Sequence, residues 1–459
     1  MHKFLAAIAC VLIFLSTALN VLAIYDPTDV TNNKFGIHIA DTTDLEDAAK
    51  LVNSTGGDWG YVTFVIQKGE KDIWRWQKVF DRMRQLHLIP IVRIATRGLG
   101  EIWEKPSFGE IDGWVSFLNS LNWVIKNRYV IIGNEPNHAK EWGGEINPEE
   151  YATYLKEFSS KLKVVSPDFF VLPAGFDASA PKSKETEDEV SYLKRMLAKE
   201  PDIFDHIDGW TSHSYPNPGF TGSDNGFGRG TVRTFDWELS LLKTLGVKKD
   251  FKVFITETGW VHDGEGILED KFKNAYSGAW SDKAVVAVTP FILAYQEPPF
   301  EVFSWKNKDG KFFDFYYQVQ DLEKQKGEPL QETKGEILAL FVPGVDEINS
   351  KVGGIALVKN TGQSIWNPNE VSLLSNYNHG VEIANINFSD IKPQETGIIH
   401  FNVLYPKKAG DYTTSLTLSR KDTPFSNSYN FDVIAITPIN MKIQAIFDTI
   451  VRYFKGLGR

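Results

Sequence analysis

The chain has 459 residues, 42% of them hydrophobic and 24% charged, with a formal net charge of −10 and a pI near 5.5. That length exceeds one ordinary domain, and the composition is globular, which excludes a disordered or wholly membranous chain. The acidity argues against nucleic acid as a partner and suits a neutral polymer. Thirteen Trp and 13% aromatics fit a sugar ligand, whose rings present apolar C–H faces, although most of these side chains are expected to fill helix–sheet interfaces.

The chain opens MHKFLAAIACVLIFLSTALNVLAIYD. A positive start, an apolar stretch from Phe4 and the small-residue end Val21-Leu22-Ala23 predict a secretory signal over 1–23. The apolar stretch approaches the ~20 residues of a membrane span. Two outcomes therefore stand open, a secreted or cell-surface protein with the signal removed, or one anchored by it. Cys10 is the only cysteine. Without it the mature chain has no disulfide, Cys–zinc site or thiol nucleophile, and no metal or cofactor is expected.

From Lys34 onward, short apolar runs alternate with amphipathic ones. The predicted strands are Phe35–Ile39, Trp59–Ile66, Ile89–Ala95, Tyr129–Ile132, Phe169–Ala174, Ile207–Ser212, Lys252–Thr256 and Glu301–Trp305. Between them Trp76, Val79, Phe80, Met83 and Leu86 fall on one helical face, as do Trp114, Phe117, Leu118, Leu121, Val124 and Ile125. Asn147-Pro148-Glu149-Glu150 reads as a helix start with Asn147 as cap. Eight strand–helix units over residues 34–342 predict a (β/α)8 TIM barrel, with a doubly wound open sheet as the alternative. The last barrel helix is expected near Thr333–Phe341 and a boundary at Pro343-Gly344. Residues 345–436 then read as short strands between turn clusters, a smaller all-β sandwich. In the tail, 437–459, Ile439, Ile443, Ile446, Phe447, Ile450 and Phe454 recur at helical spacing. That amphipathic helix either docks on the sandwich or lies on a membrane surface.

Two of the apolar runs end in glutamate: YVIIGNEPN places Glu135 after strand 4, and FKVFITETGW places Glu257 after strand 7. In a barrel both point into the cup at the C-terminal ends of the strands. Two carboxyls facing each other across a cleft are the minimum apparatus for cutting a glycosidic bond, and each charge raises the other's proton affinity, so that one keeps its proton. Read alone, Asn134-Glu135-Pro136 is equally a natural turn.

The pair NEPN and TETGW resembles the strand-4 and strand-7 signatures of the clan A retaining glycoside hydrolases. The resemblance implies Glu135 as general acid/base, Asn134 as the contact to the sugar 2-hydroxyl and Glu257 as nucleophile. It also implies a covalent glycosyl-enzyme and carboxyls about 5–5.5 Å apart. An aromatic residue or His after strand 6 is implied to hydrogen-bond the nucleophile, making His213 and Tyr215 the candidates. A Trp after strand 8, here Trp305, is implied to lie beneath the cleaved sugar. Arg93, after Pro90-Ile91-Val92 in strand 3, is placed to hold Glu257 ionised or to serve as a barrel salt bridge. His38 and Trp260 are candidate sugar contacts.

The segment VKNTGQSIWN followed by IKPQETGIIHFNVLYPKKAGDYT is similar to the immunoglobulin-like domain of next-to-BRCA1 proteins. Such domains bind proteins or act as spacers, and its protein partner is unknown. The expected activity is thus that of an exported retaining β-glycosidase acting on a β-linked oligo- or polysaccharide. The alternatives are a non-catalytic carbohydrate-binding surface protein on the same barrel and a transglycosylase.

Overall fold

In the computed structural model the described residues are 24–262, 268, 270–375, 380–438, 443, 446, 447 and 449–451. The chain divides into two compact units, Met1–Leu330 and Gln331–Arg459, so the division falls ahead of the Pro343-Gly344 boundary read from the sequence.

The strands of the first unit are β1 (Gly36–His38), β2 (Gly60–Gln67), β3 (Leu88–Ala95), a hairpin of β4 (Gly98–Leu99) and β5 (Ile102–Trp103), β6 (Arg128–Ile132), β7 (Phe169–Pro173), β8 (Trp210–His213), β9 (Val253–Glu257) and β10 (Val285–Val288). One parallel sheet runs β1-β2-β3-β6-β7 and another β10-β9-β8. Both seams between them are bridged. Phe35 pairs with Val288, and His38 N–H donates to Pro290 O at 3.0 Å. At the other seam Asp208 N–H donates to Val171 O at 2.8 Å, and Val171 N–H donates to Asp208 Oδ2 at 2.7 Å. The eight parallel strands therefore follow one another in a ring.

Side chains fill the inside of that ring. Tyr129 lies 5.0 Å from both Phe170 and Phe254, and Tyr61 stands 6.5 Å from Phe254. Strands facing helices outward and this layer inward are buried on both sides, which is why they read as continuous apolar runs. The helices cover the outside for the reasons their sequences suggest. Asp72 caps Ile73–Gln85 through the backbone N–H of Trp74 and Arg75, and Trp76, Phe80 and Met83 form its buried stripe. Asn147 caps Pro148–Val165 by accepting from Glu150 N–H at 3.1 Å.

The eighth strand differs from expectation. It is Val285–Val288, four small residues buried on both faces, whereas Glu301–Phe303 is a single 3-10 turn. The last helix of this unit is Asp314–Gln320, and Gly335–Phe341, expected as a helix, is a strand of the second unit with Ile337 turned inward.

Two carboxyls lie fully buried behind β8. Glu189 and Glu238 are both 0% exposed; Trp210 Nε1–H donates to Glu238 Oε2 at 3.1 Å, and the two carboxyls hydrogen-bond each other. Burial pushes Glu238 up to about 7 and Glu189 well above the usual carboxyl range. The charged neighbours are Arg229, Asp188 and His213. A carboxyl whose pKa is raised by folding contributes stability below the unfolded value and loses it as pH rises through the folded one. Calorimetry should therefore show Tm falling by roughly 5 °C between the ordinary glutamate range and neutrality. In Glu238→Gln, which keeps the acceptor for Trp210, that slope should flatten; an unchanged slope would refute the reading.

The second unit holds two sheets. One orders Gly335–Phe341, Lys351–Asn360, Thr396–Leu404 and Glu382–Asn387; the other orders Val345–Glu347, Tyr429–Ile436, Gly410–Arg420 and Val371–Ser375. Alternating burial, as along Thr396–Leu404, marks antiparallel strands with one face inward. The buried faces enclose Trp366, Ile399, Phe401, Leu416 and Val433.

Among the described residues no helix is long and apolar enough to cross a membrane. This overturns the expectation of a secreted or cell-surface chain held by a membrane anchor, and residues 1–23, where the signal was read, lie outside the described residues. Of the tail, Ile443, Ile446, Phe447 and Ile450 are helical and exposed.

Candidate active site

The two glutamates arrive at the mouth of the ring by different turns. After β6 the chain passes through Gly133 at φ 90° and Glu135 at φ 30°, both left-handed. Glu135 N–H donates to Gly175 O at 3.0 Å. Asn137, fully buried, donates through Nδ2 to Asp177 O at 2.9 Å and Glu187 O at 3.1 Å. The second Asn of NEPN thus anchors the turn that presents Glu135. Glu257 is the last residue of β9, and the turn beyond it is tied by Thr258 Oγ1–H donating to Ser214 O at 2.7 Å.

A carboxylate oxygen of Glu135, one of Glu257 and a ring nitrogen of His213 all lie within 4.8 Å of one another. His213 Nδ1 is 2.8 Å from Glu135 Oε1 and 3.8 Å from Glu257 Oε2. The remaining contacts of Glu257 are Arg93, 2.7 Å from Oε1, and Tyr215 O–H, donating to Oε2 at 3.2 Å. Arg93 also donates to Asn134 Oδ1. Because a guanidinium only donates, this contact fixes the Asn134 amide with its oxygen toward Arg93.

Electrostatics follow from these contacts. Burial works to raise Glu257, but His213, Arg93 and the Tyr215 hydroxyl together hold it below the usual carboxyl range. Burial likewise works to lower His213, and the two glutamates outweigh it, so His213 titrates above its usual value. His38 is pushed down to about 3 by burial, against the pull of Glu257, and is neutral; its Nδ1 has no hydrogen-bond partner. Glu257 is therefore an ionised carboxylate held by a guanidinium and a hydroxyl.

The structure brings Glu135, Glu257, Asn134, Arg93, His213, Tyr215 and His38 together. Within that group the close strand-6 partner of Glu257 is Tyr215, while His213 sits nearer Glu135. Two expected sugar contacts are corrected. Trp260 is 1% exposed, packs 4.9 Å from Phe272 and donates Nε1–H to Gly222 O at 2.8 Å. Trp305 is 1% exposed among Phe272, Phe315 and Tyr316. It ends the misread eighth strand, and its ring packs against residues of the helices Lys271–Ser277 and Asp314–Gln320.

Five residues around the pair were missed. His138, directly after NEPN, is 2.9 Å from Asp177 through Nε2, and Glu135 acts on its charge. Glu141 follows in a 3-10 turn, where no periodic signal marks it. Phe291, after the true eighth strand, lies 5.1 Å from His38 and 6.0 Å from Phe303. Phe303 continues through Phe220, at 5.1 Å, to Tyr215, 5.0 Å further on, as an aromatic wall.

No family model and no curated protein matches the chain. Solved structures similar to it include a β-mannanase from Thermomonospora fusca, at 13% identity over 64% of this chain and 90% of that one, with a TM-score of 0.41. A broad specificity endoglucanase from Clostridium acetobutylicum matches at 13% identity over 63% and 96%, with a TM-score of 0.42. A family 51 α-L-arabinofuranosidase from Bifidobacterium longum matches at 12% identity over 82% and 95%, with a TM-score of 0.38.

Proposed function

We propose that the first unit is a (β/α)8 glycoside hydrolase that cleaves a β-linked glycan with retention of configuration. The observation that carries this reading is the approach of one carboxylate oxygen of Glu135 to within 4.8 Å of one of Glu257. Inverting enzymes need about 6.5–9.5 Å to seat a water between the two groups, and a pair this close suits direct attack instead.

In the first step Glu257 forms a bond to the anomeric carbon as the bond to the leaving oxygen breaks, and Glu135 delivers its proton to that oxygen. In the second, Glu135 takes a proton from water, whose oxygen displaces Glu257 and restores both carboxyls. Arg93 and Tyr215 keep Glu257 ionised and oriented before attack. Asn134, its amide oriented by Arg93, is the group assigned to the 2-hydroxyl. The second unit we read as an immunoglobulin-like module.

Proton NMR of the first-formed product tests the proposal, since the β-anomer must appear before mutarotation. An aryl 2-deoxy-2-fluoro-β-glycoside should label the peptide that contains Glu257. A first-formed α-anomer, or a label on another residue, would reject the scheme.

A further inference from the structure

Asn134 is held at one end by Arg93, which donates to its Oδ1. A bond at the oxygen alone leaves the amide plane loosely set, because rotation about a bond to an sp² carbon is broad and roughly two-fold. The other end of the amide meets Glu141, whose carboxyl takes a side-chain hydrogen bond from Asn134. Arg93, Asn134 and Glu141 stand together in the wall of one small cavity beside the catalytic pair. Burial and the charge of Glu135 push the Glu141 carboxyl up to about 7, against Arg93, Lys140 and the Asn134 amide. In either protonation state it keeps an oxygen that accepts from Nδ2–H.

Local turns bring Glu141 to that position. His138 N–H donates to Glu135 O at 2.8 Å and Glu141 N–H to His138 O at 3.0 Å, two successive turns that carry the chain on from the end of β6. The residues that follow pin them. Trp142 is 2% exposed and donates Nε1–H to Glu150 Oε2 at 3.1 Å, and Gly143 N–H donates to Trp103 O at 3.1 Å. Glu141 itself is half-buried and forms no ion pair among the described residues, so no cation draws its carboxyl away from the amide.

An asparagine amide carries two N–H donors and one accepting oxygen. With the oxygen given to Arg93 and one N–H to Glu141, the second N–H is left, its direction set by the amide plane. We infer that Glu141 is a positioning residue for the cleavage: with Arg93 it clamps the Asn134 amide so that the remaining N–H faces the sugar 2-hydroxyl. The inference rests on the glycosidase reading and assigns Glu141 no contact with the reacting atoms. A hydrogen bond to the 2-hydroxyl strengthens in the transition state, so loss of the clamp falls on kcat.

Glu141→Leu removes the acceptor and Glu141→Gln keeps one; melting temperatures establish that each variant folds. Nitrophenyl β-glucoside, β-mannoside and β-xyloside are compared with their 2-deoxy counterparts. On a glycoside that the parent cleaves, Glu141→Leu should lower kcat/KM about tenfold, chiefly through kcat, and Glu141→Gln should recover most of the loss. On the 2-deoxy counterpart Glu141→Leu should stay within about twofold of the parent. In an Asn134→Ala background Glu141→Leu should cost nothing further, since the group it orients is gone. Equal losses on both substrates, or losses that add to those of Asn134→Ala, overturn the inference, because a merely structural role gives both. Should Glu141→Leu not fold, Glu141→Asp, one methylene short of the amide, must show the same split between substrates. These outcomes leave the hydrolase reading untouched. A parent that turns over no glycoside sinks that reading and the inference with it.

Discussion

Glu257→Ala should lower kcat/KM by on the order of 10⁴-fold or more on every β-glycoside the enzyme cleaves, because the covalent step has no other nucleophile within reach. Arg93 reaches Glu257 at 2.7 Å and Tyr215 at 3.2 Å, so alanine also leaves a half-buried guanidinium unpaired and should destabilise the fold. Glu257→Gln separates the two effects. Its amide oxygen still accepts from Arg93 or Tyr215, yet it cannot attack the anomeric carbon. Steady-state kinetics should therefore find Glu257→Gln as inactive as Glu257→Ala but closer to the parent in Tm. Parental activity in either variant would remove Glu257 from the chemistry.

Glu135→Ala should show a different pattern, one that depends on the leaving group. With sugar or nitrophenyl leaving groups, loss of the proton donor should cost about 10²–10⁴-fold in kcat/KM. A dinitrophenyl glycoside, whose leaving group needs no proton, should still form the glycosyl-enzyme at nearly the parental rate. That intermediate then waits for a base. Azide, which attacks without one and fits the space the carboxylate vacates, should speed turnover and yield a β-glycosyl azide. Equal losses on both kinds of substrate, or an α-azide product, would show that Glu135 is not the acid/base of a double displacement.

The sequence made much of this arrangement legible, for reasons that can be located. β2, β3, β6, β7 and β9 are continuous apolar runs because they are buried on both faces; β9 ends in Glu257, and β6 stops three residues short of Glu135. β10 escaped because Val-Val-Ala-Val is only four residues long, and Thr289-Pro290 cut it off from the apolar Phe291-Ile292-Leu293. That slip carried Trp305 into the site, while Phe291, on the true wall, went unread. Side-chain direction was the other limit. Strand position assigns Trp260 to the right end of the ring, but its indole turns away to meet Gly222. The approach of His213 to Glu135 depends on Gly175, since any β-carbon there would collide with the imidazole. Glu189 and Glu238, which no sequence signal singled out, are fully buried. For Gly335–Phe341, a short apolar run does not distinguish helix from strand.

The backbone at Glu135 has a consequence of its own. Glycine enters the left-handed region freely and asparagine with ease, whereas most other residues sit there at about 1–2 kcal/mol above their preferred conformations. Glutamate holds that position here, at φ 30° and one residue ahead of a proline. Glycine at residue 135 would relieve that cost, so the carboxylate stands at this corner against the polypeptide's own preference.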